Sequence, residues 1–206
     1  PCDAYDPSRP FRKLPHQEIP LGFLAPRADP RGILLYHGLG SGKTCAAIQI
    51  AEATDRKVVI FLPGSLVGGW IRELTHCARY KLPAGHASLS PQKQKQLRRQ
   101  VIREIGEKYT FIASNAWNAA DQFRRKAAPI SNQLVIVDEA HHLLGHMTST
   151  DSINGEQLLA DFTSHPDLRF IFLTATPLVV DPYELSTLAR IVRDPKYVRS
   201  HVPIAY

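Results

Sequence analysis

The sequence predicts an α/β fold, a parallel sheet covered by helices on both faces. Three observations predict it. Short apolar, β-branched runs recur along the chain, each bounded by turn residues. Stretches with helical spacing of apolar residues alternate with them, the pattern of strand–helix–strand crossovers. The first run leads straight into a glycine-rich loop and then a helical stretch.

The elements follow in order. Residues 1–30 are rich in proline (Pro1, Pro7, Pro10, Pro15, Pro20, Pro26, Pro30) and read as an irregular lead-in with one short helix around Leu14–Leu24. The domain itself is expected over 31–206. Ile33–Tyr36 is a first strand of the kind buried on both faces. Lys43–Thr54 reads as a helix with Ala47, Ile48 and Ala51 inward, and Val58–Leu62 as a second strand. Ser65 is placed to cap a helix through Tyr80, with Leu66, Trp70, Ile71 and Leu74 inward. Ser90-Pro91 is a capping residue followed by proline at the first helical position. Leu97, Val101 and Ile105 then recur every four residues. Tyr109–Ala113 and Leu134–Val137 read as strands, Gly155–Ser164 as a helix, Arg169–Leu173 as a fifth strand and Tyr183–Val192 as a last helix.

Composition excludes several classes. At 206 residues, 44% hydrophobic and 21% charged, the chain fits one globular domain with a buried core. The longest purely apolar run, Val58–Leu62, is far short of the roughly 20 residues a membrane span needs. A start at Pro1 without a leader reads as a processed chain or a fragment. Cys2, Cys45 and Cys77 are too few for a disulfide framework or a four-cysteine zinc site, and are compatible with an intracellular, reducing compartment. The net charge of +6 is local. Segment 90–108 carries +4 and segment 121–126 carries +2, so the rest is neutral on balance.

The strand Ile33–Tyr36 runs into His37-Gly38-Leu39-Gly40-Ser41-Gly42-Lys43-Thr44. Glycines let the backbone turn tightly and aim N–H groups at phosphate oxygens, and the helix N-terminus adds partial positive charge. Lys43 can reach the β- and γ-phosphates, and the Thr44 hydroxyl can ligate Mg²⁺. The general pattern has Gly where this chain has His37. Further on, Leu134–Val137 ends in Asp138-Glu139-Ala140-His141. A carboxylate at a strand tip beside a phosphate loop can hold Mg²⁺, and the next can orient or deprotonate the attacking water. Asp138 is thus the metal-side residue and Glu139 the candidate base.

His142 and His146 are four apart with His141 adjacent, but the HExxH order is absent. A solvated or hydrogen-bonded cluster is the better reading than zinc. Cys45 reads as a small buried residue. Trp70 falls on an apolar stripe and reads as core, whereas Trp117 stays open between base stacking and other roles. Arg98, Arg99 and Arg103 lie off the stripe of their helix, forming either a solvated face or a phosphate contact.

The fifth strand ends Leu173-Thr174-Ala175-Thr176-Pro177. With GSGKT, DEAH and TATP in order, the chain resembles the first RecA-like domain of superfamily 2 helicases and translocases, over about Leu14 to Val192. The resemblance implies a RecA-like P-loop NTPase fold, with ATP and Mg²⁺ as cofactors and DNA or RNA as partner. It implies phosphate-loop contacts from Gly38, Gly40, Ser41, Gly42, Lys43 and Thr44, catalysis by Lys43, Asp138, Glu139 and His141, and Mg²⁺ at Thr44 and Asp138. Thr174 and Thr176 would link hydrolysis to strand movement, with His141 as their contact. Pro63 and Ser65 fall in the segment like motif Ia, which continues to Trp70 and Glu73, and Asn115 in the segment like motif Ib. These loops touch nucleic acid in the family. Gln17, 26 residues before Lys43, stands where the family often reads the adenine edge, and is otherwise a solvated glutamine.

The run Ile33–Thr44, with Pro177-Leu178 and Asp181-Pro182-Tyr183-Glu184-Leu185, is similar to helicase-like ATPases of large cytoplasmic DNA viruses, including relatives of poxvirus nucleoside triphosphate phosphohydrolase I and the early transcription factor ATPase subunit. That implies cytoplasm, viral factory or virion, with the nucleus also open. Such motors hydrolyse ATP between two RecA-like domains. The sequence ends at Tyr206, 30 residues after Thr176, so the second domain is expected as a partner outside it. Competing readings are a nucleotide-binding regulatory or scaffold module, against which Glu139 argues, and a P-loop kinase, which leaves the DEAH and threonine segments unexplained.

Overall fold

The structure, a computed structural model, describes residues 31–36, 38, 40–149, 151–176 and 182–193. Five parallel strands, β1 (Gly32–Tyr36), β2 (Val58–Leu62), β3 (Tyr109–Ala113), β4 (Leu134–Val137) and β5 (Arg169–Thr174), lie in the order β1-β5-β4-β2-β3. Among the described residues, seven α-helices connect or follow them: α1 (Lys43–Glu52), α2 (Val67–Cys77), α3 (Pro91–Lys108), α4 (Ala119–Lys126), α5 (Ala140–Thr148), α6 (Ile153–Ser164) and α7 (Pro182–Val192).

The pleat sorts the core. In β2, Val58, Ile60 and Leu62 join one apolar cluster with α1, α2 and α3, while Val59 and Phe61 join another with α4, α5, α6 and α7. Every residue of β2 and β4 is buried, which requires helices on both faces. Phe61, Phe123, Phe162 and Phe170 interlock beneath the second layer with ring centroids 5.1–5.6 Å apart. Arg31, only 2% exposed, threads into this layer. It donates to the carbonyls of Ile191 (2.8 Å), His165 (2.7 Å) and Phe162, which close the C-terminal ends of α7 and α6. A cation there complements both helix dipoles. On the other face the Tyr109 hydroxyl donates to Glu52 at 2.7 Å, and burial followed by that bond pushes its phenol upward.

Several expectations change. The helix after β2 begins at Val67, not at a Ser65 cap, because Gly64–Leu66 form a 3-10 turn. That turn rotates Leu66 out of register, so it is 38% exposed and leaves the stripe of Trp70 and Leu74. The helix stops at Cys77 because Ala78 is extended (φ −111°, ψ −169°). Leu97 is only partly buried, leaving Val101 and Ile105 to anchor α3. Ser90 does cap α3, accepting from the Lys93 amide at 3.5 Å. Cys45 and Cys77 form a disulfide between α1 and α2, with Cα atoms 5.6 Å apart. A count of three cysteines excludes a framework but does not exclude one bridge between residues 32 apart. Among the described residues, no helix is long and apolar enough to cross a membrane. The lead-in with Gln17, together with His37, Pro177-Leu178 and Asp181, lies outside the described residues.

Candidate nucleotide site and nucleic-acid edge

Parallel strands put every strand C-terminus on one edge, and the strand order decides which loops meet there. Tyr36 pairs with Thr174 between β1 and β5, and Phe172 pairs with Val137 between β5 and β4. The loop after β1 and the carboxylates after β4 therefore flank the end of β5. At about 4.8 Å per strand, they stand about 10 Å apart with Thr174 between them.

On the β1 side, Gly40 (φ 74°) and Gly42 (φ 80°) occupy the left-handed region that side chains rarely adopt. Among the described residues, a Cβ at Gly38 or Gly40 would meet nothing within 4 Å. Gly42 is the N-cap of α1, and no side chain caps that helix among the described residues. Its first turn also lacks acidic residues. The Lys43 ammonium donates to the Gly38 carbonyl at 3.0 Å and so is held over the loop. Thr44 is the next residue of α1 and half-buried.

On the β4 side, the Asp138 amide donates to the Phe61 carbonyl at 2.8 Å, which extends the sheet by one bond. Its Oδ1 accepts from the Glu139 amide at 3.0 Å and its Oδ2 from the Trp70 indole Nε1 at 2.7 Å. Glu139 then turns left-handed (φ 49°, ψ 53°) as the N-cap of α5. A non-glycine residue held there stores strain, and such residues cluster at functional sites.

His141 joins the two sides. Its Nδ1 lies 3.3 Å from Thr174 Oγ1, 3.2 Å from Thr176 Oγ1 and 3.6 Å from Glu139 Oε2. Thr174 Oγ1 donates to the Thr176 carbonyl at 2.9 Å and accepts from the Thr176 amide at 3.2 Å. Its proton is thereby committed to the Thr176 carbonyl. Thr174 is 1% exposed, so this network sits on a buried pivot. The His142 ring lies against His141, tilted by 41° with centroids 4.1 Å apart, and both His142 and His146 are exposed.

The expected nucleic-acid residues lie farther along the same edge. Leu62 pairs with Ala113, so the loops after β2 and β3 are neighbours, tied by the Ser114 amide on the Leu62 carbonyl at 2.9 Å. Ser65 and Asn115 are exposed and Pro63 half-buried. Trp117 is 86% exposed beside a cavity of about 340 Å³ that Asn115, His146, Ile153 and Asn154 also line. Arg98, Arg99 and Arg103 are exposed on the outer side of α3, in its middle rather than at the edge.

Two features escaped the sequence reading. Trp70 is 2% exposed, as its stripe predicts, yet its N–H serves Asp138. A tryptophan one turn before Glu73 was a visible signal, but nothing in the spacing names its acceptor. The pairing of Cys45 with Cys77 beside Glu73 Oε2, 3.3 Å and 3.5 Å from the two sulfurs, needs the α1–α2 crossing.

Residues 14–179 match the family described as type III restriction enzyme, res subunit. The chain belongs to that family. Within it, the chain is a helicase-like ATPase domain homologous to proteins of large DNA viruses. It is 31% identical over 213 residues to a putative ATP-dependent RNA helicase (R563) of Acanthamoeba polyphaga mimivirus, covering 92% of this chain and 36% of that protein. It is 28% identical over 161 residues to the termination factor NPH-I homolog of African swine fever virus, covering 76% and 21%. The early transcription factor 70 kDa subunit of Melanoplus sanguinipes entomopoxvirus is 25% identical over 80% of this chain and 23% of its own length. The chain thus spans well under half of each. Among solved structures, the Sulfolobus solfataricus SWI2/SNF2 ATPase core in complex with dsDNA shares the fold, with a TM-score of 0.56 at 15% identity over 93% of this chain and 38% of that one.

Proposed function

We propose that this chain is the ATP-binding half of an ATP-dependent helicase or translocase that moves on or remodels DNA or RNA, the other half being a second RecA-like domain. The observation that carries this is the His141 bridge. A single ring nitrogen touches both the carboxylate beside the metal-side residue and the threonines that end the strand between the two halves of the site.

The loop amides and Lys43 bind the phosphates, with the ammonium exchanging the Gly38 carbonyl for phosphate oxygens. Thr44 and Asp138 offer oxygen donors only, which suits a hard cation, and they are the residues that would hold Mg²⁺. Held there, Mg²⁺ would supply positive charge to offset the charge on the phosphate oxygens. Glu139 orients the attacking water and accepts its proton. His141 passes a displacement of Glu139 to Thr174 and Thr176, and the edge loops at Pro63, Ser65 and Asn115 hold the strand. Homology to proteins named helicase, termination factor and early transcription factor supports the same reading.

Trans-acting arginines are worth about 10³–10⁵ in rate in such motors. The chain alone is therefore expected to bind nucleotide and hydrolyse it slowly. Steady-state hydrolysis with saturating DNA, then RNA, tests this. Turnover below about 0.1 per second fits, because typical motor-type rates of at least about 1 per second would then be missing the second domain's contribution. Turnover of several per second by the chain alone would contradict it.

A further inference from the structure

We propose that Trp70 is a positioning residue for the metal-side carboxylate, and that the α1–α2 contact ties the two metal-side groups, Thr44 and Asp138, into one rigid unit. The inference rests on reading Asp138 as a ligand of Mg²⁺.

The Trp70 indole is 2% exposed, and its Nε1 donates to Asp138 Oδ2 at 2.7 Å. Asp138 Oδ1 accepts from the Glu139 amide at 3.0 Å. Both oxygens are thereby oriented, one by a ring that packing fixes and one by the backbone. Each carboxylate oxygen has two lone-pair directions and accepts one such bond here, so one on each oxygen remains for a cation. Groups that orient metal ligands in this way typically change metal affinity by 10–100-fold when removed.

The ring is itself tied to the phosphate loop. Trp70, Glu73 and Cys77 recur at helical spacing on the side of α2 that faces α1. Glu73 Oε2 lies 3.3 Å from the Cys45 sulfur, Cys77 is bonded to Cys45, and Gln49 donates to the Cys77 carbonyl. Cys45 directly follows Thr44. A shift of α1 would therefore carry the indole with it, and with the indole the orientation of Asp138. A tryptophan that was only core would need an acceptor for its N–H but would not need this one.

The test compares the whole 206-residue chain with Trp70→Phe, which keeps an aromatic ring and removes the N–H. ADP affinity is measured by calorimetry with Mg²⁺ and with EDTA. Wild type is expected to gain affinity from Mg²⁺, and Trp70→Phe is expected to lose about tenfold of that gain, with its affinity in EDTA unchanged. A structural role alone would move the melting temperature and leave the Mg²⁺ gain intact, and that result would overturn the proposal. If wild type shows no Mg²⁺ gain, the reading of the site fails and the proposal falls with it. A second measurement does not depend on the variant's folding. Trp117→Phe leaves Trp70 as the sole indole of the two. Adding Mg²⁺ to its ADP complex is expected to shift Trp70 emission, and an unchanged spectrum would overturn the proposal.

Discussion

His141 Nδ1 lies 3.3 Å from the hydroxyl of Thr174, a residue 1% exposed at the tip of β5. One hydrogen bond thus connects the helix that Glu139 caps to the strand that separates the phosphate loop from the acidic pair. Thr174→Val keeps the volume and removes the hydroxyl. ATP affinity is expected to stay within about threefold, since the phosphate loop is untouched. Nucleic-acid-stimulated hydrolysis in the full-length protein is expected to fall by about 10- to 100-fold, the scale set by a small misplacement at the chemistry. Stimulated turnover equal to wild type would remove the coupling role.

Glu139 gives a second prediction from its backbone. A residue held at φ 49° costs on the order of 1 kcal/mol that glycine does not pay. Glu139→Gly is therefore expected to raise stability in denaturant titration by about 1 kcal/mol while abolishing hydrolysis. Glu139→Gln should abolish hydrolysis without that gain. Equal stability of the two variants would show that the left-handed turn is not strained.

The basic face of α3 predicts a salt effect. If Arg98, Arg99 and Arg103 contact phosphates, replacing all three with Gln should lower the slope of log affinity against log salt by about 3 on duplex DNA. The measurement belongs in the full-length protein, and an unchanged slope assigns these arginines to a solvated face.

Arg31 is a fold-level counterpart. It closes the ends of α6 and α7 with three carbonyl contacts inside the second core layer. Arg31→Met keeps the stem and removes the donors. The expected loss is about 3 kcal/mol in denaturant unfolding, from charged hydrogen bonds of about 1.5–3 kcal/mol each offset by the removed burial of charge. A loss under about 0.5 kcal/mol, the range of an ordinary surface change, would contradict the role.

The sheet was legible because each strand is a short, largely apolar run bounded by turn residues or a helical stretch, and all five were expected within one residue of where they lie. The helices were legible where the stripe is continuous. α4 was not, since Ala119, Ala120 and Phe123 are its only buried residues in a charged octet. α5 was masked by His141, His142 and Gly145 between its apolar positions. The candidate phosphate loop, the acidic pair and the threonines each carry a local signature in the sequence, which is why they stand as candidates. Trp70 on Asp138 and Cys45 on Cys77 span 68 and 32 residues, and only the crossing of α2 over the sheet edge brings them together.

Lys43 tests the central claim most directly. Calorimetric titration of the chain with Mg²⁺ and a non-hydrolysable ATP analogue should show saturable one-to-one binding. Lys43→Ala should weaken it by about 10- to 100-fold, the worth of one charged hydrogen bond to phosphate, with the melting temperature unchanged. Binding that is absent in wild type, or equal in the two proteins, would contradict the assignment of this edge as the nucleotide site.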